Sequence, residues 1–325
     1  MPCLLTEARI ACEQGDQAHG DDRLREAPAL GKRLDSVAQV FSLGSRSVAK
    51  LSTRALKTMI EIDGVQQRIH RADLAPLNPH AASEALPWPI RVYTLGRFAV
   101  QIYNKAVQFD GKAQRKPLEL LKALIAFGSQ DVRVERLTDC LWPDAQGDAA
   151  ADVLKTTLHR LRKLLQNNEA LRLNDRHLSL DKRCIWVDSL VFDHISHQAK
   201  ALDAAALEHA LRIYGGPFLD GDSTPWALGY RERLRAGYLV AAERLGTLLE
   251  NAGGWSAAAE TYEKAVEMEP AAETLYRRLM SSYLQLGRRT EALTVYRRCD
   301  LALQTHLGIK PTRETQALYQ SILDG

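Results

Sequence analysis

The hydrophobic positions of residues 148–166 recur at the spacing of an amphipathic helix. Four leucines fall on one stripe, which predicts a helix anchored to a core. They are Leu154, Leu158, Leu161 and Leu165. The other faces carry Lys155, Thr156, His159, Arg160, Arg162 and Lys163. A cationic helix face of this kind fits the major groove of duplex DNA, although charged runs are more often merely solvated surfaces. The neighbouring segments decide between these two interpretations.

Upstream of this helix, the hydrophobic period changes to about two at Ile90. Three short runs rich in β-formers cover residues 91–95, 98–103 and 105–109. Gly96 and Asn104 stand in two of the breaks and are good turn residues. The pattern predicts a small antiparallel sheet at the start of this region.

Two further helices are predicted between that sheet and the basic helix. The first begins at Pro117 and ends at Gly128, and the second covers residues 134–142 and ends at Pro143. Beyond the basic helix, residues 171–174 and 177–181 alternate in polarity, as the strands of a hairpin do. Four cations decorate this hairpin, namely Arg172, Arg176, Lys182 and Arg183. Strands, three helices with the last one basic, and a basic hairpin together predict a winged helix-turn-helix and favour DNA binding.

From Asp188 onward the pattern is almost wholly helical, and two segments repeat. Three pairs of residues recur at a separation of 34 residues, which is the tetratricopeptide period. The pairs are Gly253 with Gly287, Ala258 with Ala292, and Tyr262 with Tyr296. The predicted fold is therefore mainly α: a winged helix-turn-helix with small antiparallel sheets at 89–187, then an all-α tetratricopeptide-like repeat domain at 188–325.

Several motifs of the chain resemble a known family. Four resemble the OmpR-type winged helix of SARP-like bacterial transcriptional activators, namely YTLGRF, RKPLELLKALI, ERLTDCLWPD and LHRLRKLL. Two further motifs resemble the bacterial transcriptional activator domain that follows this winged helix in the family, namely GGPFL…W…RERL and THLGIKPTRETQALYQSIL. The order of the two modules is also similar.

The resemblance implies which residues meet DNA. In OmpR-type helices the basic segment and the residues one turn earlier enter the groove, which implicates Arg160, Arg162 and Lys163, preceded by Thr156, Thr157 and His159. We expect the first three to contact phosphates, and Lys155, Thr156 and His159 to contact base edges. The wing cations Arg172, Arg176, Lys182 and Arg183 are expected near the minor groove or a flanking phosphate. The helix begins with the acids Asp148 and Asp152, so the base preference of response regulators is not carried over.

The family also implies partners. SARP-like activators bind directly repeated sites in double-stranded promoter DNA, commonly as dimers, and help to recruit RNA polymerase. The resemblance therefore implies promoter DNA, RNA polymerase and a second copy of this chain as partners. The alternative from another class is a helical-repeat adaptor that binds proteins and not DNA, which the modest net charge of +3 favours.

Residues 1–88 form a predicted N-terminal extension. Residues 1–32 lack a sustained period and are expected to be poorly ordered, residues 34–72 predict two short helices, and several prolines predict a linker. The junction WPIRVYTLGRF resembles the one before the C-terminal module of MalT-like ATP-dependent regulators. No Gly-rich loop ending in Gly-Lys-Ser/Thr occurs, so this resemblance implies a truncated or a stand-alone relative.

Composition excludes several other classes. The five cysteines are scattered without ligand spacing, which argues against a metal site or disulfide framework and favours a cytoplasmic protein. No apolar run approaches the ~18 residues that span a bilayer, so no membrane association is expected. No catalytic constellation occurs. We therefore expect a protein that is not an enzyme and needs no cofactor.

Overall fold

The computed structural model describes most of the chain beyond the predicted extension. The described residues are Ala11, Asp22, 88–109, 112–145 and 147–324. The helices and the linker predicted within residues 1–87 lie outside this part of the chain, and the resemblance to the MalT-like junction stays a hypothesis.

The described chain divides into two compact units. The first holds the described residues through Tyr93 together with Ala99–Val187. The second holds Thr94–Phe98 together with the chain from Asp188 onward. The short segment Thr94–Phe98 had been placed in the winged helix from the sequence, and its contacts instead belong to the helical unit.

A four-stranded sheet begins the first unit. Its strands are β1 (Ile90–Tyr93), β2 (Ala99–Ile102), β3 (Lys105–Ala106) and β7 (Ile185–Val187), in the order β3-β2-β1-β7. The first three pair antiparallel, as predicted, whereas β7 pairs parallel with β1. The sequence did not predict this parallel pairing, because local alternation does not show which distant strand a short run will join.

Three helices and a short strand follow the first three strands. They are α1 (Lys112–Ala126), β4 (Val132–Arg133), α2 (Val134–Leu141) and α3 (Asp148–Leu164). Helix α1 begins five residues before the predicted start, and Pro117 lies inside it. Pro117 has no backbone N–H, so the helix continues past it with one hydrogen bond fewer. Strand β4 was not predicted, since two residues carry no measurable period.

The wing is a three-stranded sheet. It contains β5 (Leu171–Asn174) and β6 (His177–Leu180) and has the order β4-β6-β5. Asp175 and Arg176 join β5 to β6 with φ values of 44° and 62°. Two successive positive φ angles are the signature of a two-residue hairpin turn whose twist matches that of the strands.

The second unit is helical. Its α-helices are α4 (Asp188–His197), α5 (Ala204–Ile213), α6 (Pro225–Asn251), α7 (Trp255–Met268), α8 (Glu273–Gln285), α9 (Arg289–Leu307) and α10 (Arg313–Asp324). Each helix from α6 to α9 packs against the next one along the chain. This arrangement confirms the mainly α fold with small sheets that the sequence predicts.

Repeated small residues let these helices approach closely. Ala258 and Ala292 are fully buried at equivalent positions of α7 and α9. Tyr262 is also fully buried, and its ring lies where a side chain at Gly246 of α6 would have to be. Gly253 follows α6 with a φ of 73°. A glycine at this position ends a helix in the left-handed conformation at little steric cost.

Asp188 explains why Thr94–Phe98 belongs to the helical unit. Its fully buried carboxylate accepts hydrogen bonds from the backbone N–H groups of Thr94 and Leu95 and from the Thr94 hydroxyl, at 2.7–3.0 Å. Burial raises the pKa of Asp188 to about 6, against the lowering effect of these donors. Gly96, with a φ of 74°, then passes so close to the backbone of Gly215 that no side chain fits between them.

Candidate nucleic-acid interface

Helix α3 is fixed in the first unit by its leucine stripe. Leu154, Leu158, Leu161 and Leu165 are at most 2% exposed. This burial determines which faces of the helix remain open to solvent, because only side chains on the side opposite the leucine stripe point away from the core.

The open side of α3 carries a continuous polar and cationic surface, which we call the α3 arc. Its members are Lys155, Thr156, His159, Arg160 and Lys163, and all are exposed. Their spacing brings them onto adjacent turns of one side of the helix. The Lys155 ammonium lies 3.8 Å from the exposed Asp152 carboxylate, a distance at which solvent-exposed charges interact weakly. The arc can therefore present its cations to an external anion.

Thr157 does not belong to the α3 arc. It is 6% exposed, and its hydroxyl donates to the Val153 carbonyl at 2.8 Å within the same helix. The expectation that Thr157 meets DNA is therefore corrected. It lies three residues after Leu154 and one before Leu158, so the helical rotation turns it toward the core.

Arg162 differs from the exposed cations of the α3 arc. It is half-buried, and its Nη2 donates to the backbone carbonyl of Leu171 in β5 at 2.7 Å. Its position on the edge of the leucine stripe explains this, since the side chain extends along the protein surface toward the wing. Arg162 therefore joins α3 to β5, and its phosphate contact stays a prediction.

Two of the four wing cations are held by one buried carboxylate. Arg183 donates to both oxygens of Asp181, with Nη2 3.0 Å from Oδ2, and Arg172 binds the same oxygen. The Asp181 side chain is only 4% exposed. Burial alone raises the pKa of this carboxyl, but the hydrogen bonds from Arg183 and the charge of Arg172 outweigh burial and leave the pKa below its usual value. Arg172 and Arg183, which were expected near the minor groove or a flanking phosphate, therefore bind Asp181 in this structure.

Arg176 lies at the tip of the wing and is paired differently. Its Nη2 lies 2.7 Å from Oε1 of Glu135 in α2, and the two side chains are 78% and 49% exposed. Lys182, the fourth predicted wing cation, is half-buried. Arg176 is thus the most exposed of the three wing arginines that the structure pairs with carboxylates.

Sequence reasoning missed the two carboxylates that hold the wing arginines. Asp181 directly follows a strand and precedes Lys182 and Arg183, so a local ion pair was foreseeable from the sequence. Glu135 is 41 positions away from Arg176, and only the pairing of β4 with β6 brings them together. No sequence pattern in either segment indicates that contact.

Two other kinds of site were sought in the described part of the chain. No group of three or more His, Cys, Asp or Glu side chains could hold a metal ion among the described residues. Within the same residues, no helix is both long and apolar enough to cross a membrane.

Comparison with known proteins places the second unit in a family. Residues 187–323 match the model of the bacterial transcriptional activator domain. The regulatory protein AfsR of Streptomyces griseus is 26% identical over 221 residues, which are 66% of this chain and 22% of that protein. AfsR of Streptomyces coelicolor is 28% identical over 212 residues, or 63% of this chain and 21% of that protein.

The chain is therefore similar to SARP-like regulators. This confirms the resemblance that the sequence motifs carried. The SARP-like chain spans only about a fifth of the length of the two AfsR proteins. A solved structure of Mycobacterium tuberculosis EmbR, in complex with a low-affinity phosphopeptide, shares the fold of this SARP-like chain. It has a TM-score of 0.55 and 24% identity, and the match covers 73% of this chain and 65% of EmbR.

Proposed function

We propose that this SARP-like protein is a transcriptional activator, not an enzyme, and that it binds promoter DNA through its winged helix. The observation that carries the proposal is the α3 arc, whose cations are exposed while four buried leucines hold the helix in place. A core-anchored helix with an open cationic side is the element that enters a major groove in winged-helix proteins.

The contacts divide into two kinds. Arg160 and Lys163 supply affinity by neutralising phosphates, and this contribution depends on salt and not on sequence. Lys155, Thr156 and His159 lie on the same arc and contact base edges, which supplies the selection between sites. Their roles follow from exposure and spacing on α3.

The second unit then provides the activating function. Its match to the bacterial transcriptional activator domain supports a role in self-association on repeated sites and in recruiting RNA polymerase. Stacked helices expose extended surfaces suited to protein partners. A homodimer on promoter DNA is the arrangement that this proposal favours.

The experiment compares DNA affinity between matched pairs of variants. Fluorescence anisotropy measures binding of the full chain to labelled duplex DNA. Replacing both Arg160 and Lys163 by Ala removes two cations from the α3 arc and should weaken binding at least tenfold. Replacing Arg297 and Lys310 by Ala removes two exposed cations from the second unit and should leave affinity nearly unchanged.

Equal loss in the two double variants would refute the assignment to α3. Absence of duplex binding by the unmodified chain would refute the proposal and favour the protein-binding adaptor. In that alternative the winged helix serves as a protein-interaction module, so no binding to duplex DNA is expected.

A further inference from the structure

The wing tip is anchored next to the first turn of α2 by the backbone. The backbone N–H of Val134 donates to the carbonyl of Arg176 at 2.9 Å. Glu135 follows Val134 directly, so its side chain is held within reach of the Arg176 guanidinium and binds it at 2.7 Å. The proximity of the two charges is therefore a product of the fold and does not depend on the ion pair itself.

This pair differs from the one between Asp181 and its two arginines. Asp181 is 4% exposed and shares its charge with two arginines, so an arginine that leaves it removes one of the two cations that compensate a buried carboxylate, which is unfavourable. Glu135 and Arg176 are 49% and 78% exposed, so water solvates both when they separate. Exposed pairs of this kind bias an equilibrium by no more than about fivefold. Arg176 is thus more easily exchanged than Arg172 and Arg183, which share a buried carboxylate.

Resting on the proposed function, we propose that Glu135 competes with DNA phosphate for Arg176 and so lowers the affinity of the free protein for DNA. A phosphate approaching the wing tip must displace the Glu135 carboxylate from the guanidinium. A phosphate accepts the same forked pair of hydrogen bonds as a carboxylate, so the exchange preserves the geometry of Arg176. The exchange breaks the Glu135–Arg176 ion pair, so the modest free energy of that pair is lost on binding and lowers the affinity for DNA.

A double-mutant cycle tests this role in the full chain. Glu135→Gln removes the competing charge and keeps the side-chain shape. Glu169→Gln is the matched control, because Glu169 is an exposed acid of the same unit and its loss changes the net charge equally. Binding to one labelled duplex is measured at low salt for both variants, each in the wild-type and the Arg176→Ala backgrounds.

We expect Glu135→Gln to raise the association constant about threefold more than Glu169→Gln does. In the Arg176→Ala background the two substitutions should act alike, since no cation remains for Glu135 to compete for. The inference would be overturned if Glu135→Gln and Glu169→Gln raised the association constant equally in the wild-type background. It would also be overturned if the larger increase caused by Glu135→Gln persisted in the Arg176→Ala background.

The cycle also separates this inference from the proposed function. Binding that depends on Arg160 and Lys163 but not on Glu135 would leave the proposed function intact and refute only the competition. Failure of every variant to bind duplex DNA would refute both.

Discussion

At the scale of single residues, four arginines of α3 and the wing have three different roles. Arg160 is exposed on the α3 arc, Arg162 joins α3 to β5, and Arg172 and Arg183 bind Asp181. The sequence predicts that these cations cluster, because they lie on one helix and one hairpin. It does not predict which of these arginines stay exposed to solvent. That depends on whether each side chain meets a carboxylate or a carbonyl group from another element.

Asp181→Asn tests whether this carboxylate stabilises the wing. The pKa of Asp181 is lower in the folded chain than its usual value of about 3.9, so the ionised form stabilises the fold above about pH 4 and loses this effect as the pH falls. We expect the substitution to reduce the free energy of unfolding by about 2 kcal/mol at pH 7. The difference in unfolding free energy between Asp181→Asn and wild type should become smaller below about pH 4. Urea unfolding measures both.

Asp139→Asn serves as the control for that measurement, because Asp139 is an exposed acid of the same unit. Equal stability of Asp181→Asn and wild type at pH 7 would contradict the stabilising role.

Arg162→Ala and Arg160→Ala separate the two roles on α3. Loss of Arg162 removes the hydrogen bond to the Leu171 carbonyl and should cost about 1 kcal/mol of unfolding free energy. Loss of the exposed Arg160 should change stability by less than about 0.5 kcal/mol while it weakens DNA binding. Thermal and urea unfolding of both variants provide the comparison. A larger stability loss in Arg160→Ala than in Arg162→Ala would show that the roles are reversed.

At the scale of elements, periodic segments were predictable and short or distant pairings were not. The leucine stripe of α3 and the repeat residues of α7 and α9 are long enough for helical periodicity to show. Strand β4 has two residues, and the parallel partner of β7 lies more than 80 residues upstream. Neither feature leaves a local pattern, because both depend on tertiary pairing.

Gly246→Ala tests the close approach of α6 and α7. An added Cβ would overlap the ring of Tyr262, which is fully buried, so we expect a loss of about 1–3 kcal/mol in unfolding free energy. Gly229→Ala is the matched control on the same helix, since no atom lies near its added Cβ. That variant should gain up to about 1 kcal/mol from the better helix propensity of Ala. Similar values for the two variants would refute the packing argument.

At the scale of the whole molecule, the two units do not follow a single cut in the sequence. The motifs and periodicities indicated a winged helix followed by a repeat domain. They gave no sign that Thr94–Phe98 belongs to the helical unit, because a turn of five residues has no period. The reason lies in Asp188, whose buried carboxylate requires donors and finds them in Thr94 and Leu95.

Gly96→Ala tests the contribution of this segment to the helical unit. The substitution brings a side chain against the backbone of Gly215 and adds strain at a positive φ. Gly253→Ala carries the same strain at nearly the same φ but meets no neighbouring atom. We expect Gly96→Ala to lose about 1–3 kcal/mol more unfolding free energy than Gly253→Ala in the full chain. Equal losses would mean that the close approach does not constrain the fold.

The most direct test of the central claim, that the α3 arc binds duplex DNA, is a salt titration of binding. The account predicts that the logarithm of the association constant falls linearly with the logarithm of salt concentration. It also predicts that Arg160→Ala and Lys163→Ala each reduce the slope by about 0.9, because each removes one phosphate contact. Binding that is insensitive to salt, or a slope that neither substitution changes, would contradict it.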